Sequence, residues 1–355
     1  MPEERTWVVK SEGNMSEKVL FGVDIGGTAI KFGIFDIEGT LHKDWEIPTD
    51  RSEQGAHIIE QIALSIESVI QKVGMEYSQI AGIGLGVPGP VLESGEVVNA
   101  PNLGWQNRNV KEELEQMSGL RVCVANDANV AALGEVWAGS GKGCENLVLL
   151  TLGTGVGGGI VQNGRLVYGN NGGGGEIGHM CVNPSETVVC SCGKYGCLEQ
   201  YASATGIVRM TRICARKADT ERALKRDISG QESSEKEEIR LAGRNIPLAA
   251  LTAKDVWDAV KKQDPIACQA AEMFGEKLGL ALANLAAILN PEQFLLGGGM
   301  SRAGEVMLPY IQKYYEKYVF APCRKVGLGF ATLGNQAGIY GAARLVAGEE
   351  SECGN

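Results

Sequence analysis

Twice in this chain an apolar strand runs into a glycine turn and leaves it as a second strand. Val19 to Ile25 enters Gly26-Gly27-Thr28 and continues as Ala29 to Asp36; Leu147 to Leu152 enters Gly153-Thr154-Gly155 and continues as Val156 to Val161. The repeat is too loose for a solenoid, and it points to two halves related by duplication. A third apolar strand, Gln293 to Leu296, ends on Gly297-Gly298-Gly299. Glycine lets backbone N–H groups approach phosphate oxygens with no Cβ in the way. One such turn is as easily an ordinary hairpin. Three, each closing an apolar strand, indicate a phosphate-binding protein, although no G-x-x-x-x-G-K-[ST] run is present.

The rest of the pattern alternates. Glu38-Gly39 turns the first unit into a third strand, Leu41 to Ile47. A helix is predicted from about Glu53 to Val73, with Ile58, Ile59, Ile62, Leu64, Ile66, Val69 and Ile70 on its apolar side. A strand over Ile80 to Val87 is broken by Pro88-Gly89-Pro90 and followed by a helix near Asn109 to Met117. The strand Arg121 to Ala125 ends at Asn126-Asp127, before a helix Ala128 to Trp137. In the second half Asn163-Gly164 marks a hairpin, and helices are predicted over Pro265 to Leu289, Ala303 to Tyr318 and Gln336 to Val346. Strands alternating with helices indicate α/β layers, and 355 residues suit two domains. The expected division is a small α/β domain, 18–125 plus 333–348, and a large one, 126–332. Residues 1–17 read as a disordered extension, with Met15 as an alternative start, and the charged stretch Lys217 to Arg244 as a solvated insertion.

A formal net charge of −10 argues against nucleic acid as a partner. No apolar leader follows Met1, and no run reaches the ~18 apolar residues of a membrane span. The ten cysteines are not spaced as a disulfide framework. These features together suggest a reducing cytoplasm. Three of the cysteines crowd into Cys190-Ser191-Cys192 and Cys197, downstream of His179. One imidazole and three thiolates fill a tetrahedral zinc of the closed, structural kind. Gly193 and Gly196 permit the tight knuckle such a site needs. Glu176 and Glu199 flank the knuckle and are pinned near it, where carboxylates suit sugar hydroxyls. Asp127 has two readings. It is a good helix N-cap, and it stands at the carboxyl end of a strand, where α/β folds place active-site groups.

Taken together, these motifs resemble the ROK family (repressors, open reading frames and kinases). Asp24-Ile25-Gly26-Gly27-Thr28 resembles the family's first phosphate motif, Leu152 to Gly159 its second, and Leu296 to Met300 its segment near adenosine. Glu176-Ile177-Gly178-His179 resembles its E-x-G-H sugar motif. Cys190 to Glu199 resembles its C-x-C-G-x-x-G-C-x-E zinc consensus, and the likeness spans about Val19 to Val346. Gly86 to Pro90, Ala100 to Trp105 and Tyr201 to Gly206 look like the family's glucokinase branch.

The resemblance implies an actin-like ATPase fold (ribonuclease H-like), with ATP–Mg²⁺ and a hexose, glucose first, meeting between two domains. It implies Asp127 as the base for the sugar 6-hydroxyl. Asn126, Glu176, His179, Glu199, Gly89 and Asn102 would hold the sugar. Asp24, Gly26, Gly27, Thr28, Lys31, Gly153, Thr154, Gly155, Gly157, Gly298 and Gly299 would surround the nucleotide, Asp24 near Mg²⁺. His179, Cys190, Cys192 and Cys197 would hold zinc. It also implies a homodimer or tetramer. Kinases for N-acylmannosamine, fructose or allose share these carboxylates. A family repressor would carry an N-terminal helix-turn-helix, for which the 18 residues before the first strand leave no room.

Overall fold

The computed structural model describes residues 18–226 and 238–350. The predicted extension 1–17 and the middle of the charged stretch lie outside these residues.

The chain opens with β1 (Val19–Ile25), β2 (Ala29–Asp36) and β3 (Leu41–Pro48), then α1 (Ile58–Val73) and β4 (Ile80–Val87). A two-stranded ribbon, β5 (Glu96–Ala100) and β6 (Trp105–Asn109), precedes α2 (Val110–Ser118), β7 (Val122–Asn126) and α3 (Asp127–Ala138). The second half holds β8 (Leu147–Leu152), β9 (Val156–Gln162), β10 (Arg165–Leu166), α4 (Glu199–Ala202), α5 (Ala204–Arg226), β11 (Glu238–Leu241) and β12 (Arg244–Pro247). It closes with α6 (Ala253–Lys261), α7 (Pro265–Leu289), β13 (Gln293–Gly297), α8 (Leu308–Tyr318), β14 (Gly327–Phe330) and α9 (Ala337–Glu350).

Two five-stranded mixed sheets form, in the orders β3-β2-β1-β4-β7 and β10-β9-β8-β13-β14. Each is built on an antiparallel glycine hairpin extended by parallel strands on one side. The two sheets thus repeat one plan, as the paired strand–turn–strand units suggested.

Strand periodicity sorts the core into layers. Phe21, Val23 and Ile25 of β1 pack with α1 and α2 on one face of the first sheet. Leu20 points the other way, into a cluster shared with α3, α9 and the second sheet's Leu147, Leu149 and Leu295. Val148, Leu150 and Leu152 face the large outer cluster of α5 to α8. Helices α3 and α9 are therefore packed between the two sheets. They come close because glycine lines the meeting faces. A Cβ on Gly84 would stand 1.6 Å from Ala342 O, and one on Gly341 1.5 Å from Val130 O. Glu135 of α3 is fully buried in this layer. Its carboxylate accepts from Ser140 N (3.0 Å), Thr332 N (3.0 Å) and Leu333 N (2.8 Å), fixing the segment that leads into α9.

Several sequence expectations change. The first helix starts at Ile58, because Glu53, Gln54 and Gly55 adopt left-handed backbone. There Gly55 O accepts from the indole Nε1 of Trp105 and from Arg108. Leu64 faces solvent, 58% exposed, and leaves the apolar side of α1 to the isoleucines and Val69. The helix expected from Ala303 begins at Leu308, since Gly304 at φ +75 breaks the preceding turn. The charged stretch is not one solvated insertion. Its first part extends α5, and its end is the β11–β12 hairpin, which buries Ile239, Leu241 and Ile246 around a turn at Ala242-Gly243 with φ +47 and +84. No helix among the described residues is long and apolar enough to cross a membrane.

Candidate active site

The parallel strands β1, β4 and β7 end at the same edge of their sheet, and that edge carries Asp24, Pro88-Gly89 and Asn126-Asp127. Asp24 lies on the α9 face of β1, two residues beyond Gly22, whose missing Cβ admits Ile339 O. A Cβ on Gly338, in the first turn of α9, would stand 2.5 Å from the Asp24 carboxylate. Asp24 is thus seated in a notch between β1 and α9. Its pKa is pushed up to about 6, first by burial and then by the charge of Asp127, with Lys31 across the hairpin opposing. Lys31 Nζ donates to Asn335 O at 3.3 Å.

The two readings of Asp127 are resolved by its neighbour. Asn126 is the cap: its Oδ1 accepts from Ala128 N (2.9 Å) and Asn129 N (3.2 Å), while its Nδ2 donates to Gly89 O (3.0 Å). Asp127 is the first helical residue of α3, with Oδ1 accepting from Ala128 N at 2.8 Å. Its side chain stays open to solvent. The protein around it raises its pKa by desolvation; the Ala128 N–H opposes this and the charge of Glu176 adds to it. A carboxylate that is solvent-reachable, oriented by a backbone N–H and made more basic is suited to accepting a proton.

The second glycine turn meets the same spot from the other half. A Cβ on Gly157 would stand 2.6 Å from Thr151 Oγ1 and 3.2 Å from Ala128 Cβ, directly after Asp127. Gly153 N donates to Gly155 O at 2.9 Å, so Thr154 is thrust outward and exposed. The third turn rests against the end of β8: Gly298, at φ +80, stands where a Cβ would be 2.6 Å from Leu152 O. Gly299 follows as the start of the next turn.

Glu176 and His179 arrive on a short helical turn, and His179 Nε2 stands 3.9 Å from Glu176 Oε2. The other ring nitrogen, Nδ1, faces Cys190 Sγ at 3.9 Å. Cys192 and Cys197 have their sulfurs 3.6 Å apart, and the ligand atoms of all four residues lie within 4.8 Å of one another. A tetrahedral zinc with Zn–S of about 2.3 Å requires ligand–ligand edges of about 3.8 Å. The Cys192–Cys197 and His179–Cys190 edges, 3.6 and 3.9 Å, match that size, the donor set is that of a structural zinc, and the cysteines are not in disulfides. Burial and the adjoining thiols push Cys197 up to about 12.

Sequence reasoning overlooked three things. The run Gly169 to Gly175 carries Glu176 and reaches the opposite half, where a Cβ on Gly172 would be 2.8 Å from Val91 O. Its four consecutive glycines were visible in the sequence. Glu135, the buried clamp on the α9 approach, carried no motif. Gly338 gave no signal beyond being a glycine in a helix. Asn102 stands on the exposed turn between β5 and β6 and is not bonded to the cluster.

Comparison with known proteins bears on the same residues. The ROK family model matches residues 20–349. The chain belongs to the ROK family. A ROK relative, the glucokinase of Halalkalibacterium halodurans, is 42% identical over 340 residues, covering 95% of this chain and 97% of its own. Among solved structures, a ROK family glucokinase from Streptomyces griseus in complex with glucose and AMPPNP is 32% identical with a TM-score of 0.67, covering 93% of this chain and 99% of its own. The ROK hexokinase from Thermus thermophilus is 30% identical with a TM-score of 0.72, covering 95% and 100%. The two-sheet plan is thus the α/β, actin-like architecture of the ROK kinases.

Proposed function

We propose that this ROK protein is a glucokinase that moves the γ-phosphoryl of ATP to the 6-hydroxyl of glucose, giving glucose 6-phosphate and ADP. The observation that carries this reading is convergence: Asp127, held by its own helix start, feels the charges of Asp24 and Glu176, and its neighbour Ala128 packs against Gly157, just past the second glycine turn. The similarity to glucokinases over nearly the whole chain supports it.

In this reading Asp127 accepts the proton of the 6-hydroxyl as it attacks the γ-phosphorus. The transition state of phosphoryl transfer is loose, so orientation and charge neutralisation dominate. The turns Gly26–Thr28 and Gly153–Gly155 face the phosphates through the N–H groups of Gly27, Thr28, Thr154 and Gly155, with Gly298 and Gly299 nearer the adenosine. Mg²⁺, when bound, neutralises charge on the β- and γ-oxygens, and Asp24 with its raised proton affinity is the carboxylate that would stand beside it. Asn126, Glu176, His179 and Glu199 hold the other sugar hydroxyls, with Gly89 keeping Asn126 in place. Zinc on His179, Cys190, Cys192 and Cys197 has its four positions filled by protein. Those residues would hold the imidazole by the nitrogen that faces Cys190, leaving Nε2, which stands near Glu176, for the sugar. The active form is a homodimer in a reducing cytoplasm, with the small domain formed by 18–125 plus 333–348.

A coupled assay for ADP tests the reading, with ATP–Mg²⁺ or polyphosphate as donor and glucose, N-acetylmannosamine, fructose, mannose and allose as acceptors. The highest kcat/KM is expected for ATP with glucose. A higher value for another sugar would rename the enzyme and keep the site. Turnover of none would remove the kinase reading.

A further inference from the structure

The metal knuckle has been described as a support for the sugar side, through His179. Its other end leads elsewhere. Two residues after Cys197, Glu199 begins a segment that bonds to the second glycine turn three times. Val156 N donates to Glu199 Oε2 at 3.1 Å, Ala204 N donates to Gly153 O at 2.8 Å, and Thr205 Oγ1 donates to Thr154 O at 2.9 Å. Gly155 packs so closely on Glu199 that a Cβ there would be 2.1 Å from Oε2. The other carboxylate oxygen, Oε1, accepts from Ser191 Oγ at 2.9 Å, inside the knuckle between two of its cysteines. Gln200 adds a second tie: its Oε1 accepts from Cys197 N (3.1 Å) and its Nε2 donates to Val188 O (2.8 Å). Ser203 Oγ accepts from Gly206 N at 2.9 Å, fixing the start of α5 from which Thr205 reaches the turn.

We infer that Glu199, Ser191 and Thr205 are positioning residues for the nucleotide, through which the metal knuckle holds the phosphate-facing turn Gly153–Val156 in its working shape. The inference rests on the kinase and zinc readings above and extends them. It makes the knuckle a common foundation for both substrates. Glu199 is the pivot because its two oxygens are divided, one to the knuckle and one to the turn. Glycine at two of its four positions leaves the turn loosely determined, with one internal bond from Gly153 N to Gly155 O. The segment 199–205 adds the three bonds described from outside.

The test measures binding by calorimetry, each ligand alone: ADP–Mg²⁺ for the nucleotide side and glucose for the sugar side. The proteins are wild type with its metal, wild type treated with a chelator, Thr205→Val and Ser191→Ala, with zinc content assayed for each. Thr205→Val is far from the metal ligands in sequence and removes one hydrogen bond to the turn. It is expected to weaken ADP by about three- to ten-fold with glucose affinity and zinc content retained. Ser191→Ala is expected to weaken ADP by a similar factor at full zinc occupancy. Chelation is expected to weaken both ligands. Unchanged ADP affinity in both variants, with zinc and fold intact by circular dichroism, would overturn the inference. So would a chelated, folded protein that loses glucose alone. If wild type binds glucose and ADP but carries no metal, the zinc reading fails first, and the variants still decide whether 199–205 shapes the turn.

Discussion

The two glycine turns share a backbone plan and differ in what holds them. The first is secured by its own sheet: Gly26 N donates to Ala29 O at 3.0 Å, and Thr49, just past β3, donates through N to Thr28 O (3.0 Å) and through Oγ1 to Gly26 O (2.7 Å). It also carries its own acid, Asp24, within β1. The second turn keeps one internal bond, Gly153 N to Gly155 O at 2.9 Å, but β8 carries no acid. Its further supports come from 199–205, a segment anchored beside His179, Cys190, Cys192 and Cys197, and the carboxylate at its back, Glu199, belongs to that segment. Two hairpins of one plan can therefore be held by two physical means, one local in the chain and one supplied by a distant segment beside the His179–Cys197 cluster. The first should be insensitive to metal, the second dependent on it.

The largest effect is expected at the point where both turns converge. Asp127→Asn removes the proton acceptor and should lower kcat by about 10²- to 10⁴-fold. Asn retains an oxygen for the Ala128 N–H, so glucose binding should survive within a few-fold. Steady-state kinetics with calorimetric glucose binding checks this.

Asp24 sharpens the contrast from the first turn. Its pKa is raised above the ordinary carboxylate range to about 6, so the native state binds its proton more tightly than the unfolded chain does. Its favourable contribution is full below the unfolded value and is lost as pH rises through about 6. Asp24→Asn should therefore stabilise the protein free of nucleotide and Mg²⁺ at pH 7.5, by up to about 3 kcal/mol. At pH 4 it should have little effect. Urea unfolding at the two pH values measures the difference, and a gain at pH 4 as large as at pH 7.5 would contradict the assignment.

Glu135→Gln probes the layer that serves both halves. Replacing one acceptor oxygen by an N–H₂ leaves the Ser140 or the Leu333 N–H without its acceptor, at a cost of about 1 to 3 kcal/mol, while Thr332 N, shared by both oxygens, keeps one. Both substrates should be affected alike, because the approach to α9 belongs to neither turn alone. The smallest change is Thr49→Val, which removes one bond to Gly26 O and should weaken ADP about two- to ten-fold. Hydrogen exchange gives the cleaner reading. Chelation should speed exchange at Gly153–Val156 and leave Gly26–Thr28 unchanged. Equal acceleration at both turns would break the comparison.

Much of the architecture was legible because strand patterns here are strong. Leu147 to Leu152 and Pro265 to Leu289 form over the residues their periodicity indicates, and His179 stands in one cluster with Cys190, Cys192 and Cys197. The short ribbon β5–β6 and the hairpin β11–β12 were missed, because four or five residues with charged outward positions leave little periodic signal. The apolar residues Ile239, Leu241 and Ile246 alternated there all along. At the site, Asp127 needed its neighbour's geometry to be read, since Asn126 and Asp127 are equally good caps by type. Glu199 was expected near the sugar, and its bonds to Ser191 and Val156 were not legible in the sequence. Spacing places a residue near a metal but does not say where its two oxygens point.

The central claim is phosphoryl transfer to glucose, and ³¹P NMR of the protein with ATP, Mg²⁺ and glucose tests it most directly. The account predicts that ATP is replaced by ADP and one phosphate monoester, coupled to the two protons on C6 of the sugar, with no matching release of inorganic phosphate. Glucose that binds but forms no ester, or ATP that yields only inorganic phosphate, would contradict it.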